Sequence, residues 1–288
     1  MAIHLEQIYK PGHMIPVMVI DCRVHLFRIM SAKKAAADYL WEMYGKLLEG
    51  DLYKNWLRCQ WSIILNNPAP YLKYQPRAWQ VCVVDDFKRQ TDLKYWRADI
   101  YPDYKGNRQS QRCEDYKATL TELLQYLAHA DMPMYRQECF EADDWGGAVA
   151  RAKREGLIEG RDVFLSTSDY DWQQLISNKH GIYWSNALPY KPRLRSDYEM
   201  LKVHADRGII FSKPSDIIAH KMEFGDAGDN IFPGAPREVI DLIDPPQKPD
   251  ATELNNWLSS GEHPNTNNEH LRGSIAWLVQ NDFKPFAY

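Results

Sequence analysis

The sequence predicts an α/β fold: a mostly parallel central sheet with helices on both faces, plus a small helical C-terminal region. Three observations predict it. Short continuous apolar runs at 17–20, 81–84 and 163–165, with a weaker one at 182–184, have the length and composition of strands buried on both faces. Longer stretches with helical spacing, at 35–48, 116–127 and 145–153, alternate with them, as parallel crossover connections require. Each of the first three runs is also followed within a few residues by an acid.

In chain order, Pro68, Pro70 and Pro76 make the approach to the second strand irregular. The core is expected to close near Ser196, giving an α/β unit over 1–200. Residues 202–244 read as a small helical unit ended by Pro245 and Pro246, so a second region is placed at 201–250. A polar linker at 259–269 and a short helix at 271–280 make the third, 251–288. There is no internal repeat.

A chain of 288 residues buries a large core, and 44% hydrophobic with 26% charged residues is ordinary for a soluble protein. No apolar run is long enough to span a bilayer, so no membrane partner is expected. Residues 1–13 hold Glu6, Lys10 and Pro11 where a secretory signal needs a continuous apolar segment, so the expected compartment is the cytoplasm. Cys22, Cys59, Cys82, Cys113 and Cys139 form no C-x-x-C pair, which disfavours a zinc site and a disulfide framework.

The net charge of -4 argues against a generally basic coat, but 88–112 is locally basic. Lys88, Arg89, Lys94, Arg97, Lys105, Arg108 and Arg112 stand against Asp92, Asp99 and Asp103, interleaved with Tyr95, Trp96, Tyr101 and Tyr104. Cations among aromatics suit phosphates and unstacked bases, although a solvated face explains the patch equally well.

The acids carry more information. In an open α/β sheet, ligands bind outside the carboxyl ends of the strands, where successive loops converge. Asp21 ends the first apolar run, Asp85 and Asp86 follow the second, and Asp169 and Asp171 follow the third. Glu141, Asp143 and Asp144 precede a helical pattern, and Asp226 and Asp229 lie in Gly225-Asp-Ala-Gly-Asp-Asn230. Helix capping would explain Asp143, Asp144 or Asp169 singly, but not Asp21, Asp85 and Asp229 as well. Crowded carboxylates repel unless a cation neutralises them, and oxygen-only ligation selects Mg²⁺ or Mn²⁺ over zinc.

Phe140-Glu-Ala-Asp-Asp144, Leu165-Ser-Thr-Ser-Asp-Tyr-Asp-Trp-Gln-Gln-Leu175 and Gly225-Asp-Ala-Gly-Asp-Asn-Ile231 occur in that order. They resemble signatures of the 5′ nucleases, which include flap endonucleases and the 5′-nuclease domains of bacterial DNA polymerases. Tyr104-Lys-Gly-Asn-Arg108 resembles the family's element at the base of an arch through which single strands pass. Tyr95-Trp-Arg-Ala-Asp99 resembles the ribonuclease H branch of T-even phages.

The resemblance implies a PIN-like core with an arch at about 88–130 and a helix-hairpin-like duplex-binding region in 201–250. It implies a structure-specific 5′-3′ exonuclease or flap endonuclease, able to remove RNA primers, hydrolysing phosphodiesters with two or more Mg²⁺ ions for which Mn²⁺ can substitute. Implied ligands are Asp21, Asp85, Glu141, Asp143 and Asp144 for one metal region and Asp169, Asp171, Asp226 and Asp229 for the other. For the second-strand acid, polymerase-domain spacing selects Asp86 and phage spacing Asp85; Asp85 is the expected ligand. Lys105 and Arg108 are implied to stabilise phosphate charge. Phe27, Arg28, Lys88, Arg97 and Tyr104 are implied nucleic-acid contacts.

Gly234-Ala-Pro-Arg-Glu238 lacks most glycines of the family's hairpin turn, so a K⁺ site there is not expected. Implied partners are branched or nicked duplex DNA and RNA–DNA hybrid with 5′ ends, and a sliding clamp or single-strand-binding protein. Gln280, Phe283 and Phe286 have the spacing of clamp-docking peptides, but packing of this tail on the core is the favoured alternative. A PIN-type ribonuclease and a non-catalytic DNA-binding protein are the competing classes.

Overall fold

The computed structural model describes residues 16–66, 79–83, 95–107, 114–129, 132–185, 194–195, 211 and 213–260. The expectations for Asp85, Asp86, Lys88 and Arg108, and for the helix and tail after 270, lie outside these residues.

Among the described residues six strands form one sheet: β1 Val17–Asp21, β2 Trp79–Val83, β3 Met134–Tyr135, β4 Val163–Ser166, β5 Ile182–Ser185 and β6 Leu194–Arg195. Their spatial order is β3-β2-β1-β4-β5-β6. Of the described strand pairs, β5–β6 is antiparallel and the rest are parallel; Val17 aligns with Trp79 on one side and Val163 on the other. The chain lays strands outward from β1 in one direction and then resumes at β4 on its other side. A parallel sheet leaves a crevice at such a reversal, at the carboxyl ends of the two central strands.

The pleat explains why the strands read as unbroken apolar runs. Val17, Val19, Val163, Leu165, Ile182 and Trp184 belong to one core, and Met18, Ile20, Phe164 and Tyr183 to the core on the opposite face. Side chains alternate along a strand, so both faces must be apolar when both are covered. Each large side chain fully buried in this way contributes roughly 1.5–3 kcal/mol.

Helices α1 (Cys22–Tyr44), α2 (Gly50–Asn66) and α4 (Glu114–His129) cover the face of Met18 and Ile20. Helix α5 (Ala142–Arg154), the 3-10 turn Tyr170–Leu175 and helix α8 (Thr252–Ser260) cover the other. A third cluster joins Tyr104 to Ile218 of α6 (Asp216–Phe224) and to Val239 and Ile240 of α7 (Arg237–Ile240), beside the short helix α3 (Arg97–Ile100). Ile217, Leu242, Leu254 and Leu258 share the sheet's core, so the described part of 211–260 packs directly onto the α/β unit.

Helix α1 starts well before the expected 35–48, because Asp21 caps it, accepting from the Val24 N–H at 3.2 Å. Gly147 in α5 has a close approach to make: a Cβ there would sit 2.3 Å from the Leu242 carbonyl oxygen. Cys22 and Cys59 are buried and Cys139 is half-buried. No described helix is long and apolar enough to cross a membrane.

His25 of α1 is 1% exposed, pairs Nε2 with Ser166 Oγ at 3.1 Å and meets Trp61 edge-on. Burial, reinforced by Arg28, pushes its pKa down from 6.5 to about 3. The unfolded chain therefore takes up a proton below pH 6.5 that the folded chain refuses, and stability falls as pH drops through that window. Between pH 6.5 and 5 this amounts to about 2 kcal/mol. Urea unfolding of wild type and His25→Leu should diverge by that slope; parallel pH profiles would remove the assignment.

Candidate metal centre

Asp21 at the end of β1 is 3% exposed and accepts the Thr167 hydroxyl at 2.7 Å, which bridges β1 to the segment after β4. The Thr167 oxygen in turn accepts the Asp169 N–H at 3.0 Å. Asp169 then caps the 3-10 turn, accepting the Asp171 N–H at 2.9 Å. The sequence after β4 thus turns sharply and delivers two acids to the crevice beside Asp21.

Asp226 and Asp229 arrive on a tight hairpin. Asp226 and Ile231 exchange both backbone hydrogen bonds, at 2.7 and 2.8 Å, and the Gly228 N–H donates to Asp226 Oδ1 at 2.8 Å. Gly225 enters the loop at φ +75°, where a Cβ would lie 2.4 Å from the Ile231 carbonyl oxygen. The loop is stitched to the turn at 101–107: Lys105 N–H donates to the Asp229 carbonyl at 2.8 Å, Asn230 Nδ2 to the Asp103 carbonyl at 2.7 Å, and Asn107 Nδ2 to the Ala227 carbonyl at 3.0 Å. This explains how acids about sixty residues apart in sequence come to share one crevice.

One carboxylate oxygen each from Asp171, Asp226 and Asp229 lies within 4.8 Å of the others. Three hard oxygen donors at that spacing, without histidine or cysteine, fit a hard divalent cation. A cavity of about 630 Å³ opens beside them, lined by Asp169, Tyr170, Asp171, Lys221, Asp226 and Asp229 among others. Burial and the adjacent Asp171 push the Asp169 carboxyl up to about 7. Burial also raises Asp171, against the pull of Lys221.

Lys221, which sequence reasoning missed, forms ion pairs with both Asp171 and Asp226. Its signal was available: Ile217 and Ile218 stand four and three positions before it, so helical spacing turns this lone cation to the buried side of α6. Lys105 plays a parallel part, pairing with Glu141 and lying 3.6 Å from Asp229. It does so from a left-handed backbone, φ 54°, uncommon for a side chain other than glycine.

The remaining expectations divide. Glu141 is 1% exposed at the start of α5; despite the cost of burial, Lys105 and Arg97 pull its pKa down to about 2. Asp143 is half-buried and accepts the Trp172 indole N–H at 2.6 Å. Phe27 is 43% exposed, with the Arg23 guanidinium 5.9 Å from its ring centroid, and Arg28 is half-buried on α1.

Three further residues of the expected site are buried. Arg97, expected to meet phosphate, is 1% exposed, and its guanidinium takes both oxygens of Asp144 at 2.7 and 3.0 Å. Asp144, expected as a ligand, is fully buried and spends its oxygens on Arg97, the Trp96 indole and the Glu141 N–H. Tyr104, expected to touch nucleic acid, is 6% exposed and donates its hydroxyl to Glu141 at 2.6 Å. All three build the wall behind the acids, because a charged group removed from water needs a partner at hydrogen-bonding distance.

Residues 64–203 match the family model described as the 5′-3′ exonuclease, N-terminal resolvase-like domain. That segment is similar to a 5′-3′ exonuclease domain over just under half of the chain. DNA polymerase I of Chloroflexus aurantiacus is 29% identical over 137 residues, which make up 47% of this chain and 14% of that polymerase. Among solved structures, a bacteriophage T5 flap endonuclease in a pseudo-enzyme-product complex with DNA and metal ions is 18% identical. It has a TM-score of 0.47, covering 94% of this chain and 96% of the other. A T5 5′-exonuclease with bound zinc is 19% identical with a TM-score of 0.44, covering 92% and 87%. The matched segment includes Lys105, Glu141, Asp143, Asp169 and Asp171, while Asp21, Lys221, Asp226 and Asp229 fall outside it.

Proposed function

We propose that this chain is a Mg²⁺-dependent 5′ nuclease, a 5′-3′ exonuclease and flap endonuclease acting on branched or nicked duplex DNA and on RNA–DNA hybrid. The observation that carries this reading is the cluster of Asp171, Asp226 and Asp229 at the sheet's reversal, next to a cavity and faced by Lys105. Those three, with Asp169, would hold one ion, and Asp21, Glu141 and Asp143 would contribute to a second. When bound, the ions supply Lewis-acid activation of water and neutralise charge on the phosphate.

The chain's own residues supply the rest. Lys105 is held in place by its backbone bond to Asp229, with its ammonium against the aromatic faces of Tyr104 and Tyr95, 4.9 and 5.7 Å from their centroids. An arriving phosphate would draw that ammonium away from Glu141, giving positive charge where negative charge builds up. Lys105→Ala should lower the single-turnover rate by about ten- to a hundredfold, or about 1.4–2.7 kcal/mol, with a smaller change in duplex affinity. An unchanged rate at saturating enzyme would remove Lys105 from the chemistry.

The reading itself is tested by offering the protein a 5′-flap duplex, a nicked RNA–DNA hybrid and single-stranded RNA, each with Mg²⁺ and with EDTA. Flap cleavage dependent on Mg²⁺, leaving 5′-phosphate and 3′-hydroxyl ends, is the expected result. Cleavage of single-stranded RNA alone would transfer the chain to the PIN-type ribonucleases. Binding without cleavage in every case would make it a DNA-binding protein.

A further inference from the structure

We propose that Lys221 is an internal stand-in cation, a positioning residue whose ammonium bridges Asp171 and Asp226 and leaves that place when a divalent ion is loaded. This rests on the metal-centre reading and adds to it a competition between a side chain and the ion.

The geometry points to this role. Lys221 is 9% exposed on the buried side of α6, which also carries the buried Ile217 and Ile218. Its ammonium pairs with two of the three carboxylates that converge within 4.8 Å. Those carboxylates come from separate pieces of chain, the turn after β4 and the hairpin after α6, and like charges that close would drive the pieces apart. One positive charge between them holds the site assembled.

A lysine is suited to give way. Its charge sits on a flexible four-carbon stem, and its preference for water makes release into a wet cavity inexpensive. Lys221 lines the cavity of about 630 Å³ beside the acids, so the displaced ammonium has room there. Loading the ion then frees a cation toward an anionic ligand, and by linkage phosphate binding and ion binding strengthen each other.

The test uses Mn²⁺ alone, without nucleic acid, on the full chain. Wild type, Lys221→Met and Lys221→Arg are titrated by calorimetry and by the paramagnetic resonance of free Mn²⁺, and thermal unfolding is followed with and without the ion. Lys221→Met should bind Mn²⁺ about tenfold more tightly, because the competitor and its charge are gone. It should unfold several degrees lower than wild type without the ion and at the wild-type temperature with saturating Mn²⁺. Lys221→Arg, which keeps the charge, should behave as wild type in both.

Equal or weaker Mn²⁺ binding by Lys221→Met overturns the proposal, whereas wild type that binds no Mn²⁺ refutes the metal centre itself. If Lys221→Met is unfolded without the ion, folding driven by Mn²⁺ supports the proposal. If it is unfolded in both conditions, Lys221→Met with Asp226→Asn decides. A folded double variant supports the proposal, and an unfolded one overturns it.

Discussion

Asp171→Asn is expected to reduce flap cleavage by about a thousandfold or more, because losing one anionic ligand forfeits several kcal/mol of charge stabilisation and each 1.4 kcal/mol is tenfold. Asp171 is singled out because it links the turn after β4 to Lys221 and to the hairpin acids. Its backbone N–H donates to Asp169, its carboxylate pairs with Lys221, and it forms the three-oxygen cluster with Asp226 and Asp229. The amide keeps the shape of the carboxylate, and Lys221 keeps its pair with Asp226, so the fold should survive. Single-turnover hydrolysis of a 5′-flap duplex at saturating enzyme reads the effect, with far-ultraviolet circular dichroism as the control. A rate within a few-fold of wild type would sink the ligand role of Asp171 and weaken the whole assignment.

Arg97→Met carries the largest expected effect on stability. Arg97 joins three elements: its guanidinium reaches both oxygens of Asp144 on α5 and, at 3.3 Å, Glu141 at the cap of that helix, while Nε donates to the Val239 carbonyl of α7 at 3.0 Å. It is also stacked against Trp96, 4.5 Å from the ring centroid. Asp144 and Glu141 are respectively 0% and 1% exposed, so removing the guanidinium strands buried negative charge at a cost of about 3–5 kcal/mol. Lysine in the same place should not rescue, because one ammonium cannot make the two parallel bonds to Asp144. Arg97→Met combined with Asp144→Leu should recover much of the loss, since an apolar pair leaves less charge uncompensated. Denaturant unfolding of the three proteins checks this. A loss below about 1 kcal/mol in Arg97→Met would mean that water reaches the pair.

What could be read from the chain follows from how local each cause is. Strands β1, β4 and β5 were visible because burial on both faces forces unbroken apolar runs such as Val17 to Ile20. Strands β3 and β6, two residues each, are too short to leave a period, and their pairing is decided by neighbours. The start of α1 is not legible in the chain, because one residue, Asp21, both ends β1 and caps the helix.

The same division runs through the site. The acids declared themselves by position: strand ends, a helix start and a glycine-flanked loop are local features, and crowded carboxylates at a sheet edge imply a cation wherever the loops meet. The cations did not. Arg97 and Lys105 lie in one basic, aromatic stretch, yet both turn inward, because their partners Asp144, Glu141 and Asp229 come from segments far along the chain. The sequence by itself determined the sheet, its two apolar faces and which acids could gather at its edge. Only the tertiary structure decided that Arg97, Lys105 and Lys221 serve those acids from inside, since a charge stays buried only where folding brings its counter-charge within bonding distance.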